Sequence, residues 1–475
     1  MKTKLLFITT AVLMVMALAS CSKFLDVKPE AQVKDSELFS SELGFKEALS
    51  GVYSSLTYEP LYGREMTFGL MGVLAYEWDY QSSSYEFDKI YAYKNTKSLT
   101  RIDAIWNGAY NAIANNNMIL SNIDGQKSVF SGNNYNVIKG ESLALRAFIH
   151  FDLLRIFGAS YAENPNKLTI PYVTLTTKEN FPQLTVSQVL DKVIADLTAA
   201  AELLQVDPIL TGQTITTAND GGYLLNRQVH LNYYAVKGLL ARVYLYKQDY
   251  VNALANAQVV IQSAKFPWIK SEALTNKTVS DLTFSTEHLF ALNVVRLKTI
   301  SNDAFTATGN STFYITPASL SDYYNSSSDF RYLYWFSPND QGNLFLYKYT
   351  QLAAATWPQA YRNKLPLIKL SEMYFIAAEC LKNTNYTQAV SLINTVRVAR
   401  GVNSSAVNTV DFDNALASEY RKEFIGEGQL FFYHKRRNDV SIPKAGGLDL
   451  VALKGYKLPI PVSEIVNGVG RVDNQ

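Results

Sequence analysis

Two pairs of apolar segments, far apart in the chain, carry matching residues at the same offsets, and this repetition restricts the possible folds more than any other feature. Leu240, Ala241, Tyr244, Tyr250, Ala253 and Ala257 recur as Ile376, Ala377, Cys380, Tyr386, Ala389 and Ile393. These are the offsets at which a tetratricopeptide hairpin places its packing residues. Two helices approach closely only where the facing side chains are short, so Ala241, Ala253, Ala377 and Ala389 predict antiparallel helix pairs. A stack of such pairs gives an all-α solenoid. Periodicity predicts further helices over 101–124, 135–157 and 186–204. The second aligns Leu143, Ala147, Phe151 and Leu154 on one face and stops at Gly158, while the third opens on Thr185 and Gln188 in a capping-box arrangement.

Two long segments, 58–100 and 266–363, interrupt this pattern. They are rich in Tyr, Ser, Asn and Asp, lack sustained helical period, and contain short alternating pieces such as 344–349 that read as strands. Loops of this length in a compact protein are usually functional. The fold expected is therefore all-α, a tetratricopeptide-like helical-repeat scaffold with long irregular, partly β insertions forming a second lobe. At 475 residues the chain exceeds what one core serves, roughly 250 to 300 residues, and 48% apolar content argues against disorder.

The N-terminus reads as an export signal. Lys2 and Lys4 precede an apolar run from Leu5 to Leu18, too short to span a bilayer, and Leu18-Ala19-Ser20-Cys21 fits a bacterial lipobox. Residues 1–20 are then a signal peptide and Cys21 the acylated first residue of a mature chain 21–475. Only one other cysteine exists, Cys380, so no disulfide framework is available and packing alone must hold the fold. Without Lys2 and Lys4, 42 basic residues face 42 acidic ones, and nothing points to a nucleic-acid partner.

Four blocks in order resemble the SusD/RagB family. They are Cys21-Ser22-Lys23-Phe24-Leu25-Asp26-Val27-Lys28-Pro29; Leu145-Arg146-Ala147-Phe148 through Phe157-Gly158; Pro366 to Tyr374 with Ala377-Ala378-Glu379 and Ile393-Asn394-Thr395-Val396-Arg397; and Glu419 to Arg436 followed by Leu458-Pro459-Ile460-Pro461. The last departs from the family at Tyr420 and Tyr433. The resemblance implies a tetratricopeptide-like scaffold, a glycan- or peptide-binding surface built from the insertions, and docking on a SusC-like TonB-dependent transporter. With the lipobox, it implies a protein anchored by lipid in the outer membrane and facing the cell exterior.

No catalytic constellation is legible. His150, His230, His288 and His434 are scattered, and no HExxH, GxSxG or Walker pattern occurs, so neither an enzyme nor a cofactor or metal site is expected. Glu423 and Glu427, one helical turn apart, repel unless neighbouring Arg397, Arg400 or Arg421 joins them in an ion network. Lys435-Arg436-Arg437 reads as a solvated helix end and Cys380 as an inert core thiol. The functional lead is aromatic. Trp78, Tyr80 and Tyr85 in the first insertion, and Tyr323, Tyr324, Tyr332, Trp335 and Trp357 with Arg331 in the second, lie among Asp, Asn and Gln side chains. Sugar rings stack their C–H faces on aromatic rings while their hydroxyls need such polar partners. The two insertions must fold together to share one ligand. Capture of a glycan or a peptide fits this chemistry, and a plain protein-binding scaffold is the alternative. Cys21→Ser should leave the soluble fold intact and release the protein from outer-membrane fractions; retention of a signal-cleaved variant at wild-type levels would contradict the anchor.

Overall fold

The computed structural model describes residues 35–177, 179–218, 220–275, 280–306, 312–350, 361–402, 411–468 and 470–474. The expected signal peptide, Cys21, the block around it and Trp357 lie outside them. Eight longer helices form the scaffold: α1 (Glu42–Ser55), α2 (Thr96–Ile123), α3 (Asn134–Phe157), α4 (Val186–Leu203), α5 (Tyr233–Tyr246), α6 (Tyr250–Ser263), α7 (Leu370–Leu381) and α8 (Tyr386–Ala399). Each packs against the next in sequence, giving the stacked antiparallel hairpins that the repeat predicts. Two further helices, α9 (Phe412–Glu423) and α10 (Gln429–Arg437), close the end of the stack. Among the described residues no helix is long and apolar enough to cross a membrane.

Local chemistry accounts for the boundaries. Thr185 and Gln188 form the complete capping box that opens α4. Asp249 caps α6 and Asn385, at the equivalent offset, caps α8, each accepting from a backbone N–H three residues on. Ala241, Ala253, Ala257, Ala377, Ala389 and Ile393 are all buried where the hairpins close. Cys380 is packed into this region, and burial pushes its thiol up to about 12. Tyr250 is exposed, whereas its counterpart Tyr386 is covered by Phe412 of α9.

The strands are β1 (Tyr80–Gln81), β2 (Leu168–Pro171), β3 (Gln183–Thr185), β4 (His288–Asn293), β5 (Phe313–Tyr314), β6 (Phe336–Pro338), β7 (Leu344–Leu346) and β8 (Lys364–Lys369). The second insertion leaves the stack after α6 and returns through β8 directly into α7. Antiparallel pairing of β4 with β8, from His288↔Lys369 to Asn293↔Lys364, joins its outgoing and returning strands. The first insertion meets the second where β1 pairs with β5. The insertions therefore converge.

A buried ion network fastens the second insertion to the helices. Glu423 accepts hydrogen bonds from Arg400 at 2.7 and 2.9 Å, from Arg331 at 3.1 Å and from the Ser371 hydroxyl at 2.9 Å. Arg400 also clamps Glu287 of the insertion, and Arg331 clamps Asp329 and Glu419. Glu427 receives Lys348 of the insertion at 2.7 Å and Lys369 at 2.9 Å. Of the arginines expected at the acidic pair only Arg400 is there. Arg397 approaches Glu419 at 3.7 Å, and Arg421 donates to the carbonyl of Tyr76. The solvated basic helix end is corrected as well. Lys435 is fully buried against the Ile156 carbonyl and Arg436 is paired with Glu379, because the end of α10 packs on the scaffold. Gly426 and Gly428 make the turn into α10 in left-handed conformations, and a Cβ at Gly428 would sit 2.3 Å from the Met66 carbonyl oxygen.

Burial works to raise the pKa of Glu423, but Arg400, Lys369 and Arg331 together hold it well below the ordinary carboxylate range. A depressed carboxylate contributes stability that is full above its unfolded pKa, about 4.3, and is lost as pH falls through the folded value. Glu423→Gln leaves buried cations unpaired, so it should cost ~3 to 5 kcal/mol of unfolding free energy at neutral pH. Parallel chemical denaturation at pH 7 and pH 3.5 should show that difference shrinking in acid.

Candidate functional site

Most of the aromatic residues that the sequence singles out are structural. Trp78 is 3% exposed, donates its indole N–H to the Phe68 carbonyl at 2.8 Å and packs against Phe305 and Phe313. Trp335 is 1% exposed and donates to the Leu282 carbonyl at 2.7 Å, with the Lys348 ammonium 4.2 Å from its ring centroid. Tyr85 is buried beneath the Arg101 guanidinium and donates to Glu65. Burial pushes the Tyr85 hydroxyl up, and the Glu65 carboxylate adds to that. Tyr323 and Tyr324 are buried too; the Tyr324 hydroxyl donates to the Lys422 carbonyl, and Tyr332 is half-buried against the Tyr324 ring. Arg331 belongs to the ion network. A ring whose faces are covered offers no surface for stacking, so Trp78, Tyr85, Tyr323, Tyr324 and Trp335 are corrected from platform to core, and Arg331 from ligand contact to network member.

Tyr80 is different. It is 42% exposed and lies parallel to Tyr314, with centroids 4.8 Å apart and 7° between the planes. The β1–β5 pairing sets Tyr80 directly opposite Tyr314, which places both side chains on the same face. Asp79 secures the ribbon by accepting from the Thr316 backbone at 2.7 Å and from the Ser319 hydroxyl at 2.8 Å. Burial opposes ionisation of Asp79, but these hydrogen bonds and Lys444 outweigh it and lower its pKa. The sequence reading missed Tyr314, although the alternation of Phe313, Tyr314 and Ile315 carried a strand signal.

A cleft runs along the same seam. Its smaller chamber, about 200 Å³, is polar and lined by Ser82, Ser84, Arg101, Asp303 and Thr312. Ser82 also donates its backbone N–H to the Thr312 carbonyl, which continues the β1–β5 ribbon and brings the tyrosine pair next to the chamber. The larger chamber, about 890 Å³, lies between the end of α1 and the segment following β4. Glu59, Arg64 and Ile300 line both chambers, and the ion pair of Arg64 with Glu59 at 2.6 Å stands where they meet. Tyr58 on the rim of the larger chamber is 62% exposed. Beneath that chamber Glu141 accepts from Tyr53 at 2.8 Å, contacts His230 Nδ1 at 2.9 Å and pairs with Arg227 at 2.6 Å. Burial alone would raise the Glu141 pKa, but Arg227 and His230 bring it down to about 2.

The other histidines serve packing. Burial pushes His150 and His288 down to about 3; His150 Nδ1 and His288 Nε2 each bond a backbone carbonyl, and His150 Nε2 accepts from the Val173 N–H. Among the described residues no cluster of three or more His, Cys, Asp or Glu side chains is placed to hold a metal ion. The arrangement at the seam can bind a flat, hydroxylated ligand.

Two family models match the chain. One, described as starch-binding associating with outer membrane, covers residues 23–245, and one described as the SusD family covers 304–448. The SusD-like protein P2 of Formosa agariphila is 23% identical over 98% of each chain. Among solved structures, a SusD superfamily protein of Bacteroides thetaiotaomicron superposes with a TM-score of 0.72 at 22% identity, over 92% of this chain and all of that one. The surface glycan-binding protein A of the same organism, in complex with laminarihexaose, superposes with a TM-score of 0.67 at 18% identity, over 91% of this chain and 99% of that one. With a stacked-hairpin scaffold, family models that match 23–245 and, from within the second insertion, 304–448, and a relative of the same kind matched over 98% of its length, the chain belongs to the SusD family.

Proposed function

We propose that the protein captures an oligosaccharide at the cell surface and delivers it to a SusC-like TonB-dependent transporter in the outer membrane. The observation that carries the binding reading is the exposed Tyr80 stacked in parallel on the half-buried Tyr314 beside a polar chamber. The outer face of the stacked pair suits the C–H face of a pyranose, and Ser82, Ser84, Asp303 and Thr312 supply donors and acceptors for hydroxyls. The laminarihexaose bound by the glycan-binding relative supports the same ligand class. Residues 1–20 act in this reading as the signal peptide, Cys21 carries the lipid, and 21–475 form one domain whose insertions make the binding face. Acylation contributes about 0.8 kcal/mol per buried CH₂, so more than one chain suffices for stable anchoring without a membrane-spanning helix. Peptides captured by strand addition are held through backbone pairing at a sheet edge, whereas a stacked ring pair beside a polar chamber fits the C–H face and hydroxyls of a sugar.

Each aromatic contact contributes ~0.5 to 1.5 kcal/mol, by analogy with aromatic pairs. Tyr80→Ala and Tyr314→Ala should therefore each weaken laminarihexaose binding, titrated by calorimetry against residues 22–475, by about two- to twelvefold, with little change in melting temperature. Unchanged affinity in both variants would place the glycan elsewhere.

A further inference from the structure

The larger chamber carries chemistry that a neutral sugar does not need. Its walls are formed largely by Tyr53, Tyr58, Leu292, Val295 and Ile300, a surface suited to the C–H faces of a ligand. Its volume of about 890 Å³ falls in the range of small-ligand sites, roughly 300 to 1,000 Å³. Its charged lining residues are Arg64, Arg296 and Glu59. Glu59 is already paired with Arg64, and Arg64 is paired again with the buried Glu65 at 2.8 Å. Burial lowers the Arg64 pKa, but Glu65 and Glu59 more than reverse this, so it stays a cation committed to those carboxylates. Arg296, by contrast, is exposed on the chamber wall, and its guanidinium forms no ion pair or hydrogen bond among the described residues. Among the described residues it is the one uncompensated charge of the lining.

The neighbours of Arg296 suit an anion that is part of a larger polar molecule. Arg296 occupies the cap position of the helix Leu297–Ala304, which has no side-chain cap, so the positive end of that helix lies at the same wall. Across the chamber, His230 is oriented by Glu141 through Nδ1, and Nε2 is the ring atom left for a ligand. The planar guanidinium fork matches an oxyanion in a bidentate manner. A concave wall of low polarity concentrates the field of a single cation, because water screens it less than on a flat surface.

We propose that the larger chamber is a binding site for an acidic sugar residue, one bearing a carboxylate or a sulfate ester, with Arg296 as the residue that selects for the charge. The saccharide half of this inference rests on the glycan-capture reading; the anionic half rests on the chamber alone. The larger chamber and the polar chamber beside Tyr80 and Tyr314 share Glu59, Arg64 and Ile300 as walls and so lie side by side, which lets an acidic residue of a glycan stacked on the tyrosines reach the larger one. Charge selection thus becomes a second condition on a ligand first held by stacking.

The test is calorimetric titration of residues 22–475 with four probes: trigalacturonate and its methyl ester, and a 6-sulfated galactose trisaccharide and its desulfated form. Within each pair the ring skeleton is constant and the anionic group is esterified or removed. At least one charged probe should bind tenfold or more tightly than its neutral counterpart, and the pair that shows this distinguishes carboxylate from sulfate. Arg296→Gln should remove that advantage while altering neutral affinity less than twofold, and its exposure should leave the melting temperature unchanged. Raising salt from 50 to 500 mM should weaken the charged probe alone. Equal binding of charged and neutral forms, discrimination that survives Arg296→Gln, or binding of none of the probes would overturn the inference. Tyr80→Ala separates the two readings: if it spares every affinity while the Arg296-dependent discrimination persists, the tyrosine platform fails and the acidic chamber stands.

Discussion

The carboxylate of Glu423 lies where four parts of the chain meet, and the architecture depends on its neutralisation. Arg400 arrives from just beyond α8, Arg331 from the second insertion, Lys369 from the end of β8 and Ser371 from the first turn of α7. Such a site exists only when all its members are present, since a charge of this kind is tolerated inside a protein when paired and is expensive when alone. The network therefore acts as a condition on assembly. The stacking of α7, α8 and α9 and the docking of the insertion are coupled, since only together do they satisfy the charges. Lys348 extends the same logic to Glu427, while its ammonium covers the ring of Trp335.

The seam inherits its geometry from this anchoring. With the insertion held by Arg331, Lys348 and Glu287, β5 is presented to β1, and two residues of pairing are enough to set Tyr80 parallel to Tyr314. A ribbon this short would not persist alone. Trp78 and Phe313 close the apolar side beneath it, and Asp79 ties its end to Thr316 and Ser319. Core and surface thus differ by one step along β5: Phe313 is buried against Trp78, and Tyr314 turns outward to Tyr80.

That alternation explains what the sequence could and could not reveal. The scaffold was legible because its signals are local. Periodicity, the Thr185 box, the Asp249 and Asn385 caps and the paired alanines each act within a few residues of where they are read. The insertions lack such a period, and whether a ring is exposed there depends on partners far along the chain: Leu282 lies 53 residues before Trp335, and Glu419 and Glu423 lie 88 and 92 residues after Arg331. Composition marked the segments 58–100 and 266–363, which hold the exposed Tyr80, but promoted buried rings equally. Tyr314 was passed over because its importance comes from its cross-strand partner. The basic run at 435–437 misled for a related reason, since its burial is set by contacts with Ile156 and Glu379 elsewhere in the chain.

If the network welds insertion to scaffold, the two cannot unfold separately. Native-state hydrogen exchange across a denaturant series measures this directly, by comparing the amides of β4 and β8 with those of α7 and α9. The account predicts one shared opening free energy and one dependence on denaturant for all four elements. Exchange of β4 and β8 through a distinct, lower-energy opening while α7 and α9 remain protected would contradict it.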